Sequence, residues 1–315
     1  MIVQEQETIL SRFLKVEQQQ FPIQDPIDLR VNSFGGTVKL HTVEYPNEGE
    51  LKGILFVFLG FGAYIDFHGV HLKQFAKAGF RVFGMDRQGF GSSEGNRGDI
   101  GPNQVQDQLD FVDAVVQQYS LQDEKKYLFG ISLGGLLSTR MIQLRPNYFS
   151  GVILCVPWFQ NHESVKIQGL KRLLLRVIGN LFWEKEIPTK SRTHEFDEYQ
   201  EYIRKNDQKI VVNLKYSTVN ECMNLQDTVA TEIEKLNDTA VFMAVAENDW
   251  SVSNEKIDEV FSNNNHSLKK KVLYKDAIHA FMQPIEDYIT RQSSIDSKKN
   301  IKMVHLYQSE SNHDQ

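Results

Sequence analysis

The chain is poor in cysteine, with only Cys155 and Cys222 among its 315 residues. That is too few for the disulfide frameworks on which small secreted domains depend, and it points to a reducing compartment. Positive charge is also in short supply, since 35 Lys and Arg face 41 Asp and Glu for a formal charge of -6. Nucleic-acid binding needs a basic face or stripe to neutralise phosphates, so that class is set aside. Long hydrophobic runs are missing too. The longest, Gly53 to Ile65, is interrupted by glycines and falls short of the roughly 20 apolar residues that span a bilayer. The first residues, Met1-Ile-Val-Gln-Glu-Gln-Glu-Thr8, lack the basic start and apolar stretch of a secretory leader. The expectation is a soluble, cytoplasmic protein.

What is present is a composition of 41% hydrophobic and 11% aromatic residues, enough for a large core in one big domain with an insertion or in two smaller ones. Strand-like and helix-like runs alternate through the first two-thirds, the pattern of a mostly parallel, doubly wound α/β sheet. Thr37 to Tyr45, Gly53 to Leu59, Phe80 to Met85 and Gly151 to Val156 read as strands. Val70 to Ala78 reads as a helix. A second helix opens at Gly101-Pro102 and presents Val105, Leu109, Val112, Val116 and Tyr119, and a third carries Leu133, Leu136, Leu137, Met141 and Leu144. After Pro157 the rhythm becomes helix-rich, and it returns to strand and helix at Thr239 to Ala246, Asn254 to Phe261 and Lys270 to Tyr274. The expected organisation is a core over residues 1–157, a helical insertion over 158–237, the rest of the core over 238–290 and a polar tail over 291–315.

The stretch Tyr127-Leu-Phe-Gly-Ile-Ser-Leu-Gly-Gly-Leu136 runs from a strand into a helix with Ser132 at the join. A residue at so sharp a turn is forced into a strained conformation, and flanking residues without Cβ relieve the crowding. G-x-S-x-G in this context is a nucleophile elbow, which lifts a serine hydroxyl above the end of a sheet. A serine hydroxyl is a weak nucleophile until a base takes its proton and a carboxylate orients that base. Asp249, in "AENDW", and His279, in "DAIHAF", each follow a strand, and the chain order Ser132, Asp249, His279 is the one this type of sheet uses. Taken singly, Asp249 reads better as a turn residue and His279 as a surface loop residue; their joint placement, in this order after these strands, reverses that reading. Backbone N–H donors for a developing oxyanion are assigned to Leu133, next to the nucleophile, and to Phe61, in the glycine-rich "LGFGAY" loop. No cofactor and no metal are expected.

The set "LGFG", "DRQGFGSSEG", "GISLGG", "AENDW" and "IHAF" resembles the α/β-hydrolase superfamily over about residues 30 to 290. Within it the likeness is to monoacylglycerol lipases and lysophospholipases related to serine aminopeptidases. The resemblance implies an α/β-hydrolase fold with a helical cap. It also implies a serine hydrolase of a lipid-derived ester such as a monoacylglycerol or lysophospholipid, with Ser132 as nucleophile, Asp249 as orienting acid and His279 as base. It departs at Leu59-Gly60, where the family usually has His-Gly and the histidine helps to brace the loop. The alternatives are a non-catalytic ligand-binding protein on the same fold, or an acyltransferase using the same three residues.

In the insertion, Leu170, Leu173, Leu174, Val177, Ile178, Leu181 and Phe182 share one side, with Lys166, Lys171, Arg172 and Arg176 interleaved. Two readings fit: a cap helix buried over the pocket, or an amphipathic helix that rests on an anionic membrane. The expected partner in both is a small lipid ester.

Overall fold

The computed structural model describes residues 30–33, 36–166, 169–187, 207–237 and 239–279. The expected tail at 291–315 lies outside the described residues. A seven-stranded sheet has the order β3-β5-β4-β6-β7-β8-β9. Its strands are β3 (Thr42–Tyr45), β4 (Gly53–Phe58), β5 (Phe80–Met85), β6 (Lys126–Ile131), β7 (Gly151–Cys155), β8 (Ala240–Ala246) and β9 (Lys269–Tyr274). All neighbours pair in parallel except β3 and β5. The apolar runs GILFVF of β4 and AVFMAVA of β8 are buried throughout, as strands must be when helices cover both faces of a parallel sheet.

The segment Thr37 to Tyr45 is two strands, where the sequence suggested one. β2 (Gly36–Lys39) pairs with β1 (Arg30–Ser33) in a separate antiparallel ribbon, and β3 joins the main sheet. The break falls where the loop after β5 takes the backbone groups a continuous ladder would need. Ser93 Oγ accepts from His41 N–H, His41 C=O accepts from Asp86 N–H, and Lys39 exchanges bonds with Glu94.

Helices α1 (Gly69–Lys77), α2 (Gln104–Gln118), α3 (Leu133–Leu144) and α6 (Asn254–Asn263) connect the strands. Burial on α2 is centred on Leu109, Phe111, Val112, Val115 and Val116, while Val105 and Tyr119 are only partly covered. On α3 nearly every residue is buried, but Leu144 is exposed. The chain winds outward from β4 to β5 and then crosses back to place β6 on the other side of β4. That reversal opens a crevice between the loops after β4 and β6, where open α/β sheets hold their ligands.

Between β7 and β8 lie α4 (Gly169–Leu181) and α5 (Tyr216–Thr231), which pack on each other, with α5 also on α3. Close approach occurs at Gly179, where a Cβ would lie 2.1 Å from Asn220 Nδ2. Arg172 and Arg176 are not spread over a charged outer face. Their guanidinium groups converge on the two carboxylate oxygens of Asp227 on α5, at 2.6 and 2.7 Å, and Lys166 pairs with Glu163. Leu170, Leu173, Leu174, Val177, Leu181 and Phe182 are exposed, with Leu170 at 70% and Leu181 at 69%. Among the described residues no helix is long and apolar enough to cross a membrane.

Candidate active site

Ser132 joins β6 to α3 with φ 51° and ψ -112°, a conformation that costs a non-glycine residue on the order of 1–3 kcal/mol unless its surroundings enforce it. They do. Ser132 N–H donates to Cys155 C=O at 2.9 Å, and its own carbonyl accepts from the amides of Gly135, Leu136 and Trp158. The flanking glycines are required by contact: a Cβ on Gly134 would sit 1.9 Å from Phe58 C=O, and one on Gly130 would sit 2.5 Å from Gly134 C=O. The elbow is therefore wedged between the ends of β4 and β7.

Asp249 follows β8 in a turn pinned to the loop after β9, where Asn248 N–H donates to Ala277 C=O at 2.9 Å. Its side chain is 0% exposed. Oδ1 accepts from the amides of Ser251 and Val252 at 2.8 and 2.9 Å, and Oδ2 lies 2.8 Å from His279 Nδ1. One oxygen thus closes the turn and the other faces the imidazole. His279 Nε2 in turn lies 3.0 Å from Ser132 Oγ. One tautomer satisfies both contacts, with Nδ1–H donating to Asp249 and Nε2 accepting from the serine hydroxyl. The ring of Trp250 stands beside His279, its centroid 6.5 Å away. Two other carboxylates, Asp227 and Asp276, are not part of this group. Asp227 is engaged with Arg172 and Arg176, and Asp276 is exposed, its N–H donating to Glu247.

The glycine-rich loop after β4 lies against the serine, for a Cβ on Gly60 would come within 3.4 Å of Ser132 Cβ. Phe61, in this loop, packs its ring edge-on against Phe90 at 5.4 Å. Leu133 is the first residue of α3, where helix geometry leaves the backbone N–H unused. A residue given no role from sequence belongs here as well. Arg87, from the "DRQGFGSSEG" segment, donates from Nη1 to Leu59 C=O and from Nη2 to Gly60 C=O, both at 2.6 Å. Burial lowers its pKa to about 10, so it stays cationic at neutral pH. Next to it, burial pushes the Asp86 carboxyl up to about 6 even though Ser92 and Ile65 amides donate to its two oxygens. Among the described residues no group of three or more His, Cys, Asp or Glu could hold a metal.

Residues 49–286 match the family of serine aminopeptidases, S33. Mouse monoglyceride lipase is 33% identical over 139 residues, which make up 42% of this chain and 45% of the mouse protein. The matched region thus spans less than half the length of that relative. Among solved structures, the monoacylglycerol lipase of Paleococcus ferrophilus superposes with a TM-score of 0.70 at 20% identity, covering 85% of this chain and 98% of its own. A soluble variant of the Saccharomyces cerevisiae monoglyceride lipase, in complex with a substrate analogue, gives 0.70 at 15% identity, covering 90% and 98%. At such identities the likeness speaks for the fold, and the fold is that of the α/β hydrolases. By its match over residues 49–286, the chain belongs to the serine aminopeptidase S33 family.

Proposed function

We propose that the protein is a serine carboxylic-ester hydrolase that cleaves a lipid-derived ester, such as a monoacylglycerol or lysophospholipid, through an acyl-serine intermediate. The observation that carries this reading is the continuous chain from Ser132 Oγ to His279 Nε2 at 3.0 Å and from His279 Nδ1 to Asp249 Oδ2 at 2.8 Å. Ser132 Oγ attacks the ester carbonyl as its proton passes to His279 Nε2, and Asp249 stabilises the imidazolium that forms. The negative charge on the former carbonyl oxygen is received by the Phe61 and Leu133 amides, each worth about 3 kcal/mol in the transition state. His279 returns the proton to the departing alcohol oxygen as the C–O bond breaks. A water then gives its proton to the same nitrogen, its oxygen attacks the acyl-serine, and the carboxylic acid leaves while Ser132 regains its proton. A lipid-derived substrate is supported by the likeness to mouse monoglyceride lipase.

Peripheral membrane contact through α4 belongs to the same proposal. Its exposed apolar row exceeds the scattered single residues normal for a soluble surface, and a bilayer is where a lipid ester is found.

The reading is tested with a fluorophosphonate probe and a panel of monoacylglycerols, lysophospholipids and short p-nitrophenyl esters. The wild type should be labelled and should hydrolyse at least one ester class. Ser132→Ala should lose labelling and at least about 10⁴-fold in turnover with an unchanged circular dichroism spectrum. Undiminished hydrolysis by that variant would remove Ser132 from the mechanism.

A further inference from the structure

The loop that carries Phe61 has no polar side chain of its own at Leu59 or Gly60 to hold it in place. It is held from below by a buried cation. Arg87 is 7% exposed, and its two terminal nitrogens donate to the carbonyls of Leu59 and Gly60 at 2.6 Å each. Its Nε is buried with no hydrogen-bond partner, and among the described residues it forms no ion pair. The adjacent Asp86 attracts it only at longer range, since the carboxylate oxygens of Asp86 already accept from Ile65 and Ser92 amides. A buried charge whose hydrogen bonds go only to two carbonyls, with no ion pair among the described residues, is destabilising in the resting protein, so it calls for an explanation in the working one.

Peptide geometry supplies that explanation. The group linking Gly60 to Phe61 is planar and trans, as no cis peptide bond occurs among the described residues, so the Gly60 carbonyl and the Phe61 N–H point in opposite directions. Fixing the carbonyl oxygen on a guanidinium therefore fixes the direction of the N–H. It also polarises the peptide, making that N–H a stronger donor. The same guanidinium lies over the ring of Phe90 at 5.1 Å, and Phe90 packs edge-on against Phe61, so backbone and side chain are secured together. Beyond Phe61, the Gly62 carbonyl accepts from Val211 N–H at 3.1 Å, which ties the far side of the loop to the segment leading into α5.

We infer that Arg87 is a positioning residue for the ester cleavage proposed above: it orients and polarises the Phe61 amide and sets a positive charge behind the developing oxyanion. This rests on the esterase reading and on Phe61 as a donor. The bidentate fork matters as well as the charge, because one planar group spans two successive carbonyls, as an ammonium does not.

The test compares Arg87→Met and Arg87→Lys with wild type in three measurements: hydrolysis of a soluble short-chain p-nitrophenyl ester, affinity for an alkyl boronic acid that mimics the tetrahedral state, and backbone amide exchange over residues 59–63. For Arg87→Met, kcat should fall about 10²-fold with KM within about twofold, and boronic acid affinity should fall in parallel, the size of a lost oxyanion donor. Arg87→Lys, which keeps the charge and loses the fork, should fall in between and carries the test if the methionine variant does not fold. Exchange should quicken in the 59–63 loop and stay unchanged in β4 and β6. Wild-type kcat and boronic acid affinity in Arg87→Lys would overturn the inference, and so would a rise in KM with kcat intact. If the wild type neither reacts with fluorophosphonate nor cleaves any ester, the esterase reading fails; loop exchange then decides the brace alone, with faster exchange supporting it and unchanged exchange refuting it.

Discussion

At the scale of single residues, Asp249 has divided duties, one oxygen closing a turn and the other meeting His279. An asparagine retains an acceptor for the Ser251 and Val252 amides but presents an NH₂ to the imidazole, which must then turn its lone pair to Nδ1 and its proton to Nε2, facing the serine. Asp249→Asn is expected to keep the wild-type melting temperature within a few degrees while losing about 10⁴-fold in kcat. Steady-state kinetics alongside a thermal melt check both halves, and near-wild-type turnover would take the orienting role away from this carboxylate. Ser132, Asp249 and His279 were readable because each follows a strand of distinctive composition and the fold brings strand ends together. Arg87 was not. Its partners are two backbone carbonyls 28 and 27 residues away, and a carbonyl leaves no mark in a sequence.

At the scale of elements, the amphipathic pattern of α4 was plain in the sequence, but which of its sides is covered was not, because periodicity names a face without naming its neighbour. Arg172 and Arg176 read as a cationic fringe, since their partner Asp227 is 55 and 51 residues away; they fasten α4 to α5 instead. A substitution meant to weaken membrane contact therefore belongs on the leucines. Leu170→Ser, Leu174→Ser and Leu181→Ser combined should leave the melting temperature nearly unchanged, as surface replacements usually cost under about 0.5 kcal/mol each. Co-sedimentation with phosphatidylcholine vesicles and hydrolysis of vesicle-borne monoacylglycerol should drop at least about fivefold, while a soluble short-chain ester is cleaved at the wild-type rate. Equal loss on both substrates would mean that the row serves the pocket or the fold and has no interfacial role. Neutral vesicles are the fair probe, because the paired arginines add little attraction for anionic lipid.

For the whole molecule, pH dependence is set in part by a buried carboxyl group on α2. Asp107 on α2 is buried, and desolvation, helped by the nearby Asp110 charge, pushes its pKa up to about 7. The unfolded chain releases this proton near 3.8, so between those values the folded state holds a proton that the unfolded state has lost. The favourable contribution is therefore complete below about pH 4 and fades as pH rises, by at most about 1.4 kcal/mol per unit. Asp107→Asn should raise the melting temperature by a few degrees at pH 8 and leave it unchanged at pH 4, as read from melts across that range. A variant with no gain at alkaline pH would show that the Asp107 charge is compensated in the fold. The alternation of strands and helices forecast this sheet, whereas the split of Thr37 to Tyr45 depended on hydrogen bonds from a loop about 50 residues later, beyond the reach of any local pattern. Finally, the elbow serine and the histidine it touches are 147 residues apart, with β7, α4, α5, β8 and β9 between them. A ribosome building this chain from its N-terminus completes the strand that delivers Ser132 long before it polymerises His279, which follows β9 at the sheet's edge. Under the proposed mechanism a growing chain therefore carries its nucleophile without its base, and the hydroxyl would gain its reactivity only when β9 docks in parallel on β8, a non-local and intrinsically slow step, so that an unfinished copy would be inert.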